Sequence, residues 1–192
     1  MYSTIQQFLI MKKVDLSQYD NSWYTPANEL KSIIWYIGNI LFFKNAIPLP
    51  QFLKKWILKS FGCKIGKNVT IKPYVSIKYP WLLTIKDNVW IGEHVWIDNL
   101  AEVTIASNVC ISQGAMLLCG NHDYKKSTFN LIVKPIDLEE GVWIGAKSIV
   151  CPGVTCKSHA ILSVGSVASK DLEAYTIYQG NPAIKIRERI VK

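Results

Sequence analysis

The residues best suited to chemistry near neutral pH are three histidines and five cysteines in a chain of 192. An imidazole titrates close to neutrality and can take a proton from an attacking hydroxyl. His122 is the strongest candidate for such a base. It stands in Gly120-Asn121-His122-Asp123, flanked by small and polar residues. Asp123 or a backbone carbonyl could hold its tautomer, and the sequence does not choose between them. His94 and His159 lie 28 residues before it and 37 after it. A three-histidine zinc site needs a closely spaced pair in one chain, and no second histidine accompanies His122. Cys63, Cys110, Cys119, Cys151 and Cys156 form no CxxC pair. An odd number of thiols without a secretory signal reads as reduced cysteine in a cytoplasmic protein. Cys119 lies near His122, but no neighbour marks it as a low-pKa thiol.

A regular scaffold positions these residues. Ile65, Ile71 and Ile77 are six residues apart, as are Ile85, Ile91 and Ile97, then Ile105, Ile111 and Leu117. The beat resumes at Leu138, Ile144, Val150, Cys156, Leu162 and Ala168. A six-residue period is not the 3.6 of a helix, so it signals a repeat architecture. Four positions after most beats comes a small or branched residue such as Val69, Val75, Ala115 or Ser148, with turn residues like Gly66-Lys67-Asn68 and Asp87-Asn88 between. Short strands that bury one aliphatic and turn every six residues would make a triangular coil from three hexads. The extra residues after Ile77, Ile97 and Leu117 each follow a third hexad. All three insertions therefore fall on one corner, and insertions gathered on one face mark a binding face. The longest pause, 118–137, contains His122.

Residues 1–27 read as an extended arm. Residues 28–45 read as a helix, with Leu30, Ile33, Ile34, Ile37, Ile40 and Leu41 at helical spacing. After Pro48 and Pro50 a second helix is expected over 51–61, with Phe52, Leu53, Trp56, Ile57 and Phe61 on one face and Lys54, Lys55 and Lys59 off it. These helices could cap the open end of the coil, or lie on a membrane surface as basic amphipathic segments. The longest apolar run, 33–43, is too short to span a bilayer. The net charge of +8 divides as +4 in residues 1–62 and +4 in 63–192, without a basic run of the nucleic-acid type.

The hexads resemble those of the hexapeptide-repeat acyltransferases. So do Gly141-Val142-Trp143-Ile144-Gly145-Ala146, Pro152-Gly153-Val154, Gly165-Ser166-Val167, Ser169-Lys170-Asp171 and Gly180-Asn181-Pro182-Ala183. Leu58-Lys59-Ser60-Phe61-Gly62-Cys63-Lys64-Ile65-Gly66, Tyr79-Pro80-Trp81 and Ile111-Ser112-Gln113-Gly114-Ala115 resemble the colanic-acid-biosynthesis type of sugar O-acetyltransferase within the maltose and galactoside acetyltransferase-like group. The resemblance implies a mainly β fold, a left-handed parallel β-helix of five coils with an N-terminal helical segment and a C-terminal tail. The expected divisions are 1–62, 63–176 with the extruded loop 118–137, and 177–192.

The resemblance also implies acetyl transfer from acetyl-CoA to a sugar hydroxyl in bacterial surface polysaccharide synthesis, with no metal. His122 is the implied base. Asn121, Asp123, His94, Asp98, Asn99 and Trp143 are the expected acceptor contacts. Trp143, pointing outward, is also expected to wall the pantetheine, Ala146, Val164 and Gly165 to line it, and Ser169, Lys170 and Arg187 to reach the nucleotide end. Family likeness further implies a homotrimer with the donor in the groove between neighbouring prisms. A glycan acceptor, free or lipid-linked, is expected, as are a cytoplasmic site of action and peripheral membrane contact through 28–61. Nucleic acid is not an expected partner. The same prism can host other functions. A zinc-dependent carbonic anhydrase and a non-catalytic scaffold are the alternatives.

Overall fold

The computed structural model describes residues 13–192. The described residues form two compact units, 13–25 with 121–132, and 26–120 with 133–192.

The larger unit contains a parallel β-helix with three sheet faces. Every beat residue of the hexads is buried and stacks in register on the beat residue one coil away. On the second face the ladder runs Ile71, Ile91, Ile111, Ile144, Leu162. The first and third faces carry Ile65 to Cys156 and Ile77 to Ala168 in the same way. The strands are two or three residues long because the chain must turn again within each hexad. The residue four places after the beat is buried too, as at Val69, Val75, Val95 and Ala115. Each hexad thus sends two side chains inward. Full burial of an aliphatic side chain contributes roughly 1.5–3 kcal/mol, so the stacked ladders supply the cohesion of the unit.

The corners use left-handed backbone. Asn68, Asn88, Asn108, Gly141, His159 and Tyr175 repeat positive φ at one corner, and Tyr74, His94, Gly114, Lys147 and Gly165 at the next. Asparagine and glycine tolerate this region best, which accounts for the turn residues seen in the sequence. His94 and His159 are members of these corner stacks. The His94 ring lies flat on Tyr74 at 4.5 Å, and His159 on Tyr175 at 4.7 Å. The third corner carries the insertions, as their spacing predicts.

Five complete coils are followed by part of a sixth. Leu172 bridges to Cys156, and Thr176–Gly180 pairs parallel with Ile161–Leu162. Ala183–Glu188 then folds back antiparallel. Arg189 fastens this end by donating from Nη1 to the carbonyls of Gly141 and His159, at 2.8 and 3.0 Å.

At the other end sit helix α1 (Glu29–Phe42), N-capped by Asn28, and helix α2 (Gln51–Ser60). They cap the first coil. Its strands pair on one side only, leaving backbone groups that must find partners. Gln51 accepts from Ile71 N at 2.8 Å and donates to Ile71 O at 3.1 Å, while Lys54 Nζ donates to Ile71 O at 2.9 Å. Trp35 Nε1 donates to Ile77 O at 2.9 Å, and Asn39 accepts from Ile77 N at 3.5 Å.

Capping keeps the expected face of α2 only in part: Ile57 is buried and Leu53 and Phe61 pack against the core. Lys54, placed off the apolar face by the sequence reading, is 1% exposed, whereas Phe52 and Trp56 face solvent. In α1 the inward residues are Trp35 and Asn39, and the regular aliphatic stripe points out. The edge of a sheet needs donors and acceptors, and hydrogen-bonding side chains of these helices supply them. The buried Lys54 ammonium is held below its ordinary pKa, chiefly by loss of solvent and further by the Lys72 charge.

In the smaller unit a short 3-10 turn, Leu16–Gln18, is capped by the Asp15 carboxylate. Asp15 N donates to Ser127 O at 2.9 Å, joining the two segments. The arm expected over 1–27 lies in part outside the described residues.

Candidate active site

His122 ends a short strand, Gly120–His122, that pairs with Leu131–Val133. Its Nδ1 lies 3.0 Å from the carbonyl oxygen of Phe129. A carbonyl only accepts, so Nδ1 carries the proton and Nε2 keeps its lone pair. The Phe129 ring stacks on the imidazole at 4.4 Å and 8°, and Tyr19 approaches it at 5.7 Å. The ring is therefore held by one hydrogen bond, the stacked face of Phe129 and the tilted ring of Tyr19. Between the two ways of holding the tautomer left open by the sequence, the backbone carbonyl is the one found. Nothing in the sequence singled out Phe129 or Tyr19.

The flanking polar residues shape the loop. Asn121 Oδ1 accepts from His122 N at 2.8 Å. The Asp123 carboxylate accepts from Lys125 N at 3.1 Å, and Asp123 N donates to Asn130 O at 2.8 Å.

A groove of about 480 Å³ runs along the second face of the prism, lined by Ser112, Trp143, Ala146, Val164 and Arg187 among others. It brings together four of the seven residues expected at the donor. Trp143 is 45% exposed, and its Nε1 donates to Ser112 Oγ at 2.9 Å, which fixes the indole as a wall. Gly145 lets neighbouring coils close behind it. A Cβ there would stand 2.6 Å from Val164 N and 2.7 Å from Leu162 O, both backbone. Gly165 sits at the adjoining open corner. Ser169 and Lys170 are exposed at the next corner, outside the lining of this groove.

A second groove, about 460 Å³, lies between α1 and the third face, with Tyr36, Asn39, Lys44, Lys78, Trp96 and Asp98 in its lining. Lys78 pairs with Asp98 at 3.0 Å. Asp98 is in register with Leu118, two residues before Gly120. Asn99, expected beside it as an acceptor contact, is fully buried, and its amide holds both the N–H and the carbonyl of Tyr79. That occupation makes it a corner clamp. His94 is exposed at its corner, away from the lining of either groove.

Burial pushes the Cys119 thiol up to about 11, so it is no ready nucleophile. Among the described residues no group of three or more His, Cys, Asp or Glu is placed to hold a metal ion.

No family model matches the chain. A protein of Escherichia coli strain K12 named as a colanic acid biosynthesis acetyltransferase, WcaF, is 38% identical over 170 residues, covering 87% of this chain and 92% of that protein. The chain belongs to the hexapeptide-repeat acetyltransferase family. Membership makes it an acyltransferase. Solved structures agree on the fold. The hexapeptide-repeat acetyltransferase VCA0836 of Vibrio cholerae superposes with a TM-score of 0.76 at 21% identity, over 83% of this chain and 91% of that one. A galactoside acetyltransferase in complex with coenzyme A gives 0.74 at 23% identity, over 85% and 84%.

Proposed function

We propose that this acetyltransferase moves the acetyl group of acetyl-CoA to a sugar hydroxyl during assembly of a bacterial surface polysaccharide, with His122 as general base. The observation that carries this reading is the bond from His122 Nδ1 to the Phe129 carbonyl, which leaves Nε2 free to accept a proton. The acceptor oxygen attacks the thioester carbonyl carbon as its proton passes to Nε2. The tetrahedral intermediate then breaks its C–S bond. The proton on Nε2 goes to the departing thiolate, so free CoA and the acetyl ester leave and His122 is again neutral. The Phe129 carbonyl accepts from Nδ1 throughout, so the ring keeps its orientation as Nε2 gains and loses its proton.

The donor belongs in the groove walled by Trp143, where backbone at Ala146 and Val164 meets the pantetheine and Arg187 meets phosphate. The related fold solved with coenzyme A supports a donor of that kind. The groove beside Asp98 suits a sugar, because Trp96 and Tyr36 offer flat apolar faces beside a carboxylate and lysines. Ser169 and Lys170 stay with the nucleotide end of the donor, and Asn121 and Asp123 with the acceptor, as secondary contacts. The exposed donor groove is closed by a neighbouring prism in a three-fold ring. The likeness to a colanic acid biosynthesis protein supports an acceptor of exopolysaccharide synthesis.

The test is CoA release from acetyl-CoA across a panel of sugars and glycans, with His122→Ala beside the parent. Acceptor-dependent release that the variant loses supports the reading. A variant as active as the parent removes His122 from the role of base.

A further inference from the structure

The even division of charge at residue 62 conceals a sharp segregation. Residues 30–86 hold ten lysines and neither Asp nor Glu, while the other 135 residues hold twelve Lys or Arg against fourteen acids. The acid-free stretch is α1 after Glu29, α2, the first coil and the first strand of the second, so the fold gathers this charge at the capped end. Of the ten, only Lys54 is buried. Among the described residues no carboxylate lies within ion-pair distance of Lys44, Lys55, Lys59 or Lys67.

The same end exposes apolar surface that the prism does not use. Leu30, Ile33, Ile34, Ile37, Ile40 and Leu41 fall on one side of α1 and are 41–68% exposed. On α2 the outward stripe is Phe52, Lys55, Trp56 and Lys59, with Phe52 72% and Trp56 65% exposed. With the turn Gly66-Lys67-Asn68 they line an open depression of about 520 Å³. The nearest acid of that turn is Asp87, whose carboxylate accepts from Lys67 N at 2.7 Å. Isolated exposed hydrophobics need no explanation, but a contiguous aliphatic face beside aromatics and unpaired lysines marks a contact surface.

We infer that the helical cap seats this enzyme on an anionic lipid surface. The chemistry selects that occupant. Aliphatic and aromatic side chains partition into the acyl and headgroup boundary, and unneutralised lysines meet lipid phosphates. A second copy of the chain would bring a like-charged surface against this one, which long-range repulsion opposes. No helix among the described residues is long and apolar enough to cross a membrane, so the contact is peripheral. The inference goes beyond the proposed reaction and stands apart from it.

Flotation of the full chain with phosphatidylethanolamine–phosphatidylglycerol vesicles, and with phosphatidylcholine vesicles, tests it. Binding to the anionic vesicles that weakens as salt rises is expected, with far less on phosphatidylcholine. Lys55→Glu with Lys59→Glu should weaken partitioning by about tenfold or more. Ile37→Gln with Leu41→Gln should weaken it independently of salt. All four side chains are at least partly exposed and lie outside both grooves, so melting temperature and acetyl transfer to a soluble sugar should match the parent. No binding to either vesicle overturns the inference. So does equal binding to both, or failure of both variant pairs to weaken it. Self-association abolished by Ile37→Gln with Leu41→Gln, without vesicle binding, overturns it in favour of a second copy. Loss of acetyl transfer by His122→Ala leaves vesicle binding intact, so the two readings fail separately.

Discussion

The prism and the loop that carries His122 are built on opposite principles. In the prism each side chain is placed by its position in a hexad. Ile111 stacks on Ile91 below and Ile144 above, and the beat residues of the other inner coils are held in the same way. Redundancy makes that region tolerant, because each layer is supported by its neighbours. The loop has no repeat to lean on. His122 owes its orientation to one carbonyl and two rings, from Phe129 and Tyr19. A scaffold spreads its cohesion over many equivalent contacts, whereas a proton-transfer group depends on a few particular ones.

The contrast is broken most sharply by substitutions that should affect one region alone. Replacing His122 with Ala should lower acetyl transfer by about 10²–10⁴-fold without lowering the melting temperature. CoA release paired with thermal denaturation separates the two effects, and an equally large loss of stability would mean that the ring also holds the loop. Replacing Ile111 with Ala should do the reverse, costing about 2–5 kcal/mol of stability in a denaturant titration. A cost much below that range would show that the stacked ladder closes around a cavity.

Alkaline pH probes the prism core. Burial pushes the thiols of Cys63 and Cys156 from 9.0 up to about 12. The folded state thus keeps these thiols neutral where the unfolded chain ionises them. Their contribution is complete below pH 9 and is lost as pH rises towards about 12. Melting temperature followed across that range should fall, and Cys156→Ala should flatten the fall. An unchanged slope in that variant would assign alkaline sensitivity elsewhere.

The smallest effect concerns the groove, where prism and function meet. Trp143→Ala should raise the KM for acetyl-CoA by about tenfold, consistent with loss of an aromatic contact worth ~1 kcal/mol or somewhat more. The kcat should change much less. A large fall in kcat at unchanged KM would move Trp143 from the donor to the reacting centre.

Much of this was legible in residue order. The six-residue beat identified the coil, the eight-residue steps located the insertion corner, and the longest pause enclosed His122. The helices are legible in the sequence, but their inward faces only in part. Periodicity ranks faces by apolarity, whereas the first coil's open edge required Gln51, Lys54, Trp35 and Asn39 as hydrogen-bonding partners. Asn99 has the side-chain type of an acceptor contact. Its burial against Tyr79 depends on the coil below, twenty residues earlier. The acid-free stretch 30–86 is legible in the sequence, although a division at residue 62 splits it.

The sequence by itself determined the coil, its register and the place where it is interrupted, because a strict repeat gives each residue the same environment as its counterpart one coil away. Tertiary structure alone decided which nitrogen of His122 is free, which faces the cap helices turn outward, and which expected donor residues share a groove. Those outcomes depend on partners distant in sequence, such as Phe129 O for His122, Ile71 O for Lys54 and Ser112 for Trp143. No local pattern encodes such a partner, since the energy of the contact exists only once the chain has folded.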